Sequence, residues 1–308
     1  MVELGTALPR SRMPIQQLLF DLPPVANDKP IRFAPVRNKI WTEQKAKLIS
    51  RYLHLFVLIT KHGTYIDGFA GPQYEDKKDA WTAKQVLESE PRWLKSFFLC
   101  DLEKTQIDEL KDLVDEQPKR PRRHIEIHQG DFNSEVKSIL TSDKINDRIA
   151  TFCLLDQRTF ECDWATVTAL AATKSTEKIE LMYFVPTGWF GRAVAGIKKD
   201  KDARMERWWG RKDWERLLDM NLEERAQAFC ERFKSDLGYK YASRWPIYSR
   251  EQGRGRTMYH LIHATDHRAA PYLMGRAYRT ATKAPPPQEQ LRLEFLELEK
   301  ALGGSAVD

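Results

Sequence analysis

Four acids close four apolar runs: Asp67 after Thr64-Tyr65-Ile66, Asp101 after Phe97-Phe98-Leu99-Cys100, Asp131 after Ile125 to Gly130, and Asp156 after Thr151 to Leu155. A carboxylate accepts hydrogen bonds from hydroxyls, exocyclic amines and ammonium groups. In an open parallel sheet, ligands sit outside the carboxyl ends of the strands, so acids at those ends are expected to ring one crevice. Gly68 and Gly71 follow the first acid at once, and glycine lets the backbone approach a ligand with no Cβ in the way. The 67–72 turn holds no Lys or Arg, and the chain has no GxxxxGK[ST] run. That favours a nucleoside cradle over a phosphate cradle. Any one such acid serves equally well as a turn residue or helix N-cap, and Asp131 before Phe132-Asn133-Ser134 suits a cap. Four in register shift the balance toward a site.

The elements that must position these acids alternate along the chain. A helix is expected over 42–60, with Thr42 as N-cap and Leu48, Tyr52, Leu55, Phe56 and Ile59 at helical spacing. Strands follow at 65–67, 97–101, 125–128, 151–156 and 179–186, separated by helical patterns near 80–88, 103–116, 136–140 and 164–170. Strand alternating with helix predicts a parallel sheet with helices on both faces. Residues 187–212 read as basic and irregular, and 213–237 as helical. Runs at 241–249 and 257–265, joined by a Gly/Arg-rich link, predict a hairpin. Five parallel-type strands plus a terminal antiparallel pair give an α/β, Rossmann-like sheet of the class I methyltransferase kind rather than a plain dinucleotide fold. The expected organisation is a proline-rich leader over 1–38, an α/β domain over 39–284 carrying a basic, Trp-rich helical insert at 187–237, and a C-terminal helix and tail over 285–308.

Composition narrows the class. A net charge of +6 leans weakly toward a polyanionic partner. Cys100, Cys153, Cys162 and Cys230 form no CxxC pair, and buried free thiols in a reducing cytoplasm are expected. No apolar run is long enough to cross a bilayer, and the N-terminus has no signal-peptide core. His260 and His263 fall on opposite faces of one strand, and the remaining histidines are scattered, so no metal site is expected.

The string Tyr65-Ile66-Asp67-Gly68-Phe69-Ala70-Gly71-Pro72 resembles the signature of the three-Cys-motif partner (TcmP) proteins, a family of S-adenosylmethionine-dependent methyltransferases. The resemblance runs from about Lys39 to about His267 and takes in Asp101, Gly130-Asp131-Phe132-Asn133 and Met258 to Ile262. It implies S-adenosylmethionine as cofactor, with Asp67, Gly68, Phe69 and Gly71 at its amino acid end, Asp101 on the ribose hydroxyls, and Asp131 with Phe132 at the adenine. It also implies a separate cysteine-motif protein as partner. Two positions depart from the pattern. Gln73 stands where the family has a second glycine, and the fourth strand ends Asp156-Gln157-Arg158-Thr159-Phe160 where the family has Asp-Pro, an aromatic and glycine. A stiff Pro-aromatic loop can present a carbonyl to a target amine and a ring to a base. Without it Asp156 becomes the candidate for orienting or deprotonating the acceptor, with Gln157 and Phe160 beside it.

A basic face offers the acceptor's side of the reaction. Lys119-Arg120-Pro121-Arg122-Arg123 is one cluster, Arg192 to Lys212 interleaved with Trp189, Phe190, Trp208, Trp209 and Trp214 is a second, and Arg250, Arg254 and Arg256 form a third. Cations with planar rings suit a nucleic acid, although solvated charge and core tryptophans explain the same pattern. Two readings follow. One is a cytoplasmic methyltransferase acting on a nucleic acid or nucleotide-like acceptor. The other is a catalytically silent module of the same fold that engages a partner protein or nucleic acid.

Overall fold

A computed structural model describes residues 40–72 and 80–287. The leader, the polar stretch at 73–79 and the C-terminal helix expected after 288 lie outside the described residues. Seven strands form one sheet in the order β3-β2-β1-β4-β5-β7-β6: β1 Gly63–Asp67, β2 Leu94–Asp101, β3 His124–Gln129, β4 Thr151–Leu155, β5 Glu180–Val185, β6 Tyr241–Tyr248 and β7 Thr257–Thr265. The first five pair in parallel, and β7 inserts between β5 and β6, antiparallel to both. The hairpin of the sequence reading is present, but only β7 runs against the sheet.

Alternation along each strand divides the interior in two. Tyr65, Phe97, Leu99, Phe152, Leu154 and Met182 face one core with α1 (Ile40–Thr60), α2 (Thr82–Leu87), α3 (Lys104–Asp115) and α10 (Ala270–Thr282). Ile66, Phe98, Cys100, Cys153, Leu155 and Tyr183 face the other, with α4 (Phe132–Ile139), α5 (Trp164–Ala172), α6 (Phe190–Ala195), α7 (Lys201–Trp209) and α9 (Leu222–Ser235). The short α8 (Arg216–Asp219) precedes α9. β4 is buried throughout, as a continuously apolar strand covered on both faces requires.

Two expectations need correction, and one open choice is decided. Helix α1 begins at Ile40, which places Thr42 inside the helix rather than at its cap. The 187–212 segment is helical over most of its length rather than irregular. Trp208, Trp209 and Trp214 are buried core residues, the first two packed on Phe229, so they are closed to a base. Helix α10 is missing from the sequence reading, although its buried Leu273, Met274, Ala277 and Tyr278 recur at helical spacing. All four cysteines are buried free thiols. Among the described residues, no helix is long and apolar enough to cross a membrane.

Candidate functional site

The carboxyl edge of the sheet opens into a cavity of about 460 Å³, a size that suits a small-molecule ligand. Gly68, Phe69 and Gly71 after β1, Asp101 and Leu102 after β2, Gly130 to Asn133 after β3, and Asp156, Arg158 and Phe160 after β4 contribute to its wall. Three of the four strand-end acids therefore meet at one hollow, and Asp67 is not part of its wall.

Asp67 is 1 % exposed. The two-residue strand period puts it on the same face as Tyr65, whose hydroxyl donates to Oδ2 at 2.7 Å, while the Phe69 N–H donates to Oδ1 at 3.2 Å. Burial raises its pKa from 3.8 to about 7, those two hydrogen bonds pull it back, and the charges of Asp156 and Asp101 add to the rise. Asp67 borders a second, smaller recess shared with Lys45, Trp81 and Asp156. It approaches the main cavity through the 68–71 turn rather than lining it.

Asp101 anchors the opposite wall. Oδ2 accepts the Gly71 N–H at 2.9 Å and Oδ1 the Glu103 N–H at 3.1 Å. With its amide nitrogen toward the acid, Gln106 donates to both oxygens at 2.9 Å and its carbonyl accepts from Arg158 at 2.7 Å. A Cβ on Gly71 would stand 2.6 Å from Asp101 Oδ2 and 2.3 Å from the end of the Gln106 amide. Glycine is required there by the close approach of turn and carboxylate. At Gly68 a Cβ would meet the Phe132 ring at 2.8 Å, so the turn is also packed against the third strand's loop. Phe69 and Phe132 lie 6.1 Å apart as tilted rings on this wall.

Asp131 does the capping job that its neighbours suggested: its Oδ1 accepts from the Asn133 N–H at 3.1 Å and from Nδ2 at 2.9 Å. Its carboxylate still borders the cavity. Asn133 then bolts α4 to the β4 loop, donating to the Glu161 carbonyl at 2.8 Å and accepting from the Asp163 N–H at 2.8 Å and the Thr166 hydroxyl at 2.7 Å.

On the acceptor side, Asp156 is 6 % exposed and pairs with the buried Lys45 of α1 at 2.5 Å. Burial holds its carboxyl above the ordinary range, and Lys45 opposes the rise. Gln157 is placed differently from the sequence expectation. Its Nε2 donates to the Phe184 carbonyl at 3.1 Å, and its Oε1 accepts the N–H groups of Glu161 and Cys162 at 3.0 and 2.9 Å. With every polar atom on backbone and 1 % exposure, it braces the loop from behind. Phe160 lines the cavity and is wedged edge-on against Phe190 and Trp208, at 5.6 and 4.7 Å.

Six acids and three arginines line the hollow: Asp101, Glu103, Asp131, Asp156, Glu161 and Asp163 against Arg158, Arg204 and Arg207. The wall is net anionic, which suits a cationic ligand and opposes a polyphosphate. Leu102, 62 % exposed at the rim, offers an apolar surface for a planar ring. Sequence reasoning missed Leu102, Gln106 and Lys45, and it named Arg204 and Arg207 only as part of the basic face. An exposed leucine directly after a strand-end acid was a usable signal for the first. Lys45 is brought to Asp156 only by the packing of α1.

A hydroxyl–imidazole–carboxylate row also occurs. Thr187 Oγ1 lies 2.7 Å from His260 Nδ1, and His260 Nε2 lies 3.2 Å from Glu223. Thr187 and His260 are 3 % and 0 % exposed and line no part of the cavity, so no substrate reaches the hydroxyl. The row ties the end of β5 to β7 and α9. Among the described residues, no cluster of His, Cys, Asp or Glu forms a metal site.

No protein-family model matches the sequence. The curated proteins contain no match either. Among solved structures, the chain is similar to a Legionella pneumophila protein labelled DUF519, at 9 % identity and a TM-score of 0.37, over 85 % of this chain and 92 % of that one.

Proposed function

We propose that this protein is a class I S-adenosylmethionine-dependent methyltransferase acting on a nucleic acid or nucleotide-like acceptor. The observation that carries the reading is the convergence of Asp101, Asp131 and the Gly68–Gly71 turn on one anionic, nucleoside-sized cavity. The strand order, with β7 reversed between β5 and β6, supports it, as does the resemblance of the Tyr65–Pro72 string to TcmP proteins.

The residues fit the cofactor's chemistry. A carboxylate has about four acceptor positions, and two backbone N–H groups occupy two of those on Asp101. The remaining positions, freed when Gln106 turns aside, would take a pair of ribose hydroxyls. Leu102 and Phe132 would flank the adenine, with Asp131 accepting from its amine. Asp67 would lend charge to an ammonium through the turn. The net anionic wall would favour the positively charged cofactor over its uncharged-sulfur product. When bound, S-adenosylmethionine supplies an already activated methyl group on a sulfonium. What remains for the protein is alignment. Asp156, held by Lys45 on the acceptor side, would orient an acceptor N–H or O–H and take its proton at Oδ late in the step. Phe160 would shield that spot from water.

Calorimetric titration with S-adenosylmethionine tests the reading: saturable binding to the full chain, lost in Asp101→Asn, is the expected result. One observation favours a second reading, a cofactor-binding module without transfer. Asp156 is committed to a buried cation and Gln157 to backbone, which leaves the altered loop poor in free groups. Labelled-methyl transfer to total RNA, DNA and protein separates the two.

A further inference from the structure

We infer that helix α7 and the turn before it form a phosphate-reading track that delivers a nucleic acid strand, not a free nucleotide, to the cavity mouth. Arg204 and Arg207 both line the cavity, and with Lys201 they occupy one i, i+3, i+6 ridge of α7. Residues on such a ridge are neighbours along the helix surface. Lys201 and Arg204 stand one turn before buried Met205 and Trp208, and Arg207 lies round the helix from them, so the packing of those core residues holds the row in place. Arg204 is steadied by the Phe160 carbonyl at 3.4 Å and Glu161 at 3.8 Å, and Arg207 by Asp163 at 3.6 Å. Each contact uses only part of a guanidinium with five N–H donors.

The track continues outward. Arg192, Lys198 and Lys199 are exposed and make no ion pair among the described residues, and Lys201 rests over the Trp214 ring at 5.6 Å. From 192 to 207 six cations face three acids, Asp200, Asp202 and Glu206. Asp200 and Asp202 sit at the N-terminal end of α7, where the helix dipole favours negative charge. Lys201 to Arg207 alone covers about 9 Å of helix axis at 1.5 Å per residue, and Lys198 and Lys199 extend it. That is longer than the single phosphate of a mononucleotide needs. A cationic rim around an anionic hollow sorts the ligand: phosphates stay outside while an uncharged base enters. With Trp208, Trp209 and Trp214 buried, aromatic stacking adds little. Binding is therefore led by phosphate and steeply salt-dependent.

The basic cluster before β3 supplies an internal control. Lys119, Arg120 and Arg122 are exposed, but they precede β3 and so lie at the amino edge of the sheet, away from the cavity.

The test is fluorescence anisotropy of labelled 20-nucleotide RNA, the same sequence as DNA, and a DNA duplex, with the full chain at several salt concentrations. The arms tell which polymer is held. Lys198→Glu/Lys199→Glu/Lys201→Glu is expected to weaken binding at least tenfold and to flatten the log–log salt slope by about 2, at roughly 0.7 per phosphate contact on a single strand. The equal charge reversal Lys119→Glu/Arg120→Glu/Arg122→Glu should change affinity less than about threefold. Lys201→Glu alone should give a smaller loss in the same direction, and carries the test if the triple variant unfolds. Absent binding at low salt, a salt-independent signal, or equal losses from the two reversals would overturn the inference. The base-delivery role rests on the methyltransferase reading, so S-adenosylmethionine calorimetry is run on the same samples. Cofactor binding without strand binding removes the track alone, whereas strand binding without cofactor binding removes the cofactor reading alone.

Discussion

Replacing Asp67 by Asn should make the protein more stable above neutral pH and slightly less stable in acid. The carboxyl is buried at the end of β1, and burial outweighs the two hydrogen bonds that favour its charge, lifting its pKa from 3.8 to about 7. A raised acid pKa means that the folded state holds the proton more tightly than the unfolded chain. Its contribution to stability is therefore complete below 3.8 and is lost as pH rises toward 7. At 1.36 kcal/mol per pH unit the whole loss is on the order of 4 kcal/mol. An Asn carries no charge to bury, but its amide nitrogen must face either the Tyr65 hydroxyl or the Phe69 N–H, and one lost hydrogen bond costs about 1 kcal/mol. The expected difference is a gain of roughly 3 kcal/mol at pH 8, a loss of about 1 kcal/mol at about pH 3, and a change of sign at about pH 4.5. Urea unfolding of both proteins across that range measures it directly. A variant less stable than the parent at pH 8 would refute the assignment of burial as the dominant influence on Asp67.

Further substitutions address the neighbouring parts of the site. Gly71→Ala should weaken S-adenosylmethionine binding at least tenfold in calorimetry, because the new methyl group displaces Asp101 and Gln106; unchanged affinity would separate the turn from the ligand. Gln157→Ala should lower stability by roughly 2–4 kcal/mol in urea titration, from three lost backbone hydrogen bonds. A loss of transfer with no loss of stability would instead return Gln157 to the acceptor side. Lys45→Met leaves Asp156 buried without its cation, at a cost of about 3–5 kcal/mol. That cost should shrink as pH falls, since Asp156 then escapes it by protonation. If Asp67 must ionise to meet an ammonium, cofactor affinity should fall about tenfold per pH unit below pH 7 and become pH-independent in Asp67→Asn.

The centre of the sheet was legible because β1, β2 and β4 are apolar runs closed by an acid. Asp101, Asp131 and Asp156 line the cavity as their register implied. Local chemistry also told in advance that Asp131 could cap a helix, which it does while still facing the hollow. What the sequence hid depends on long-range packing. Lys45 lies 111 residues from Asp156 and meets it only because α1 folds back across the sheet. Gln157 looked like a spare amide, and only the neighbouring β5 carbonyl of Phe184 reveals it as a brace. Trp208 and Trp209 are ambiguous between surface and core in sequence, because helical spacing serves either; packing on Phe229 and Phe160 decides for the core.

The central claim is that the acids at the strand ends cradle a cationic nucleoside. Titration of S-adenosylmethionine and of ATP into the parent protein and Asp101→Asn, each shown folded by thermal unfolding, tests it most directly. The account predicts saturable binding of S-adenosylmethionine to the parent, a loss of roughly tenfold or more in the variant from weakened charge-assisted hydrogen bonds, and no binding of ATP. Binding of ATP in preference to S-adenosylmethionine, or equal affinity of parent and variant, would contradict it.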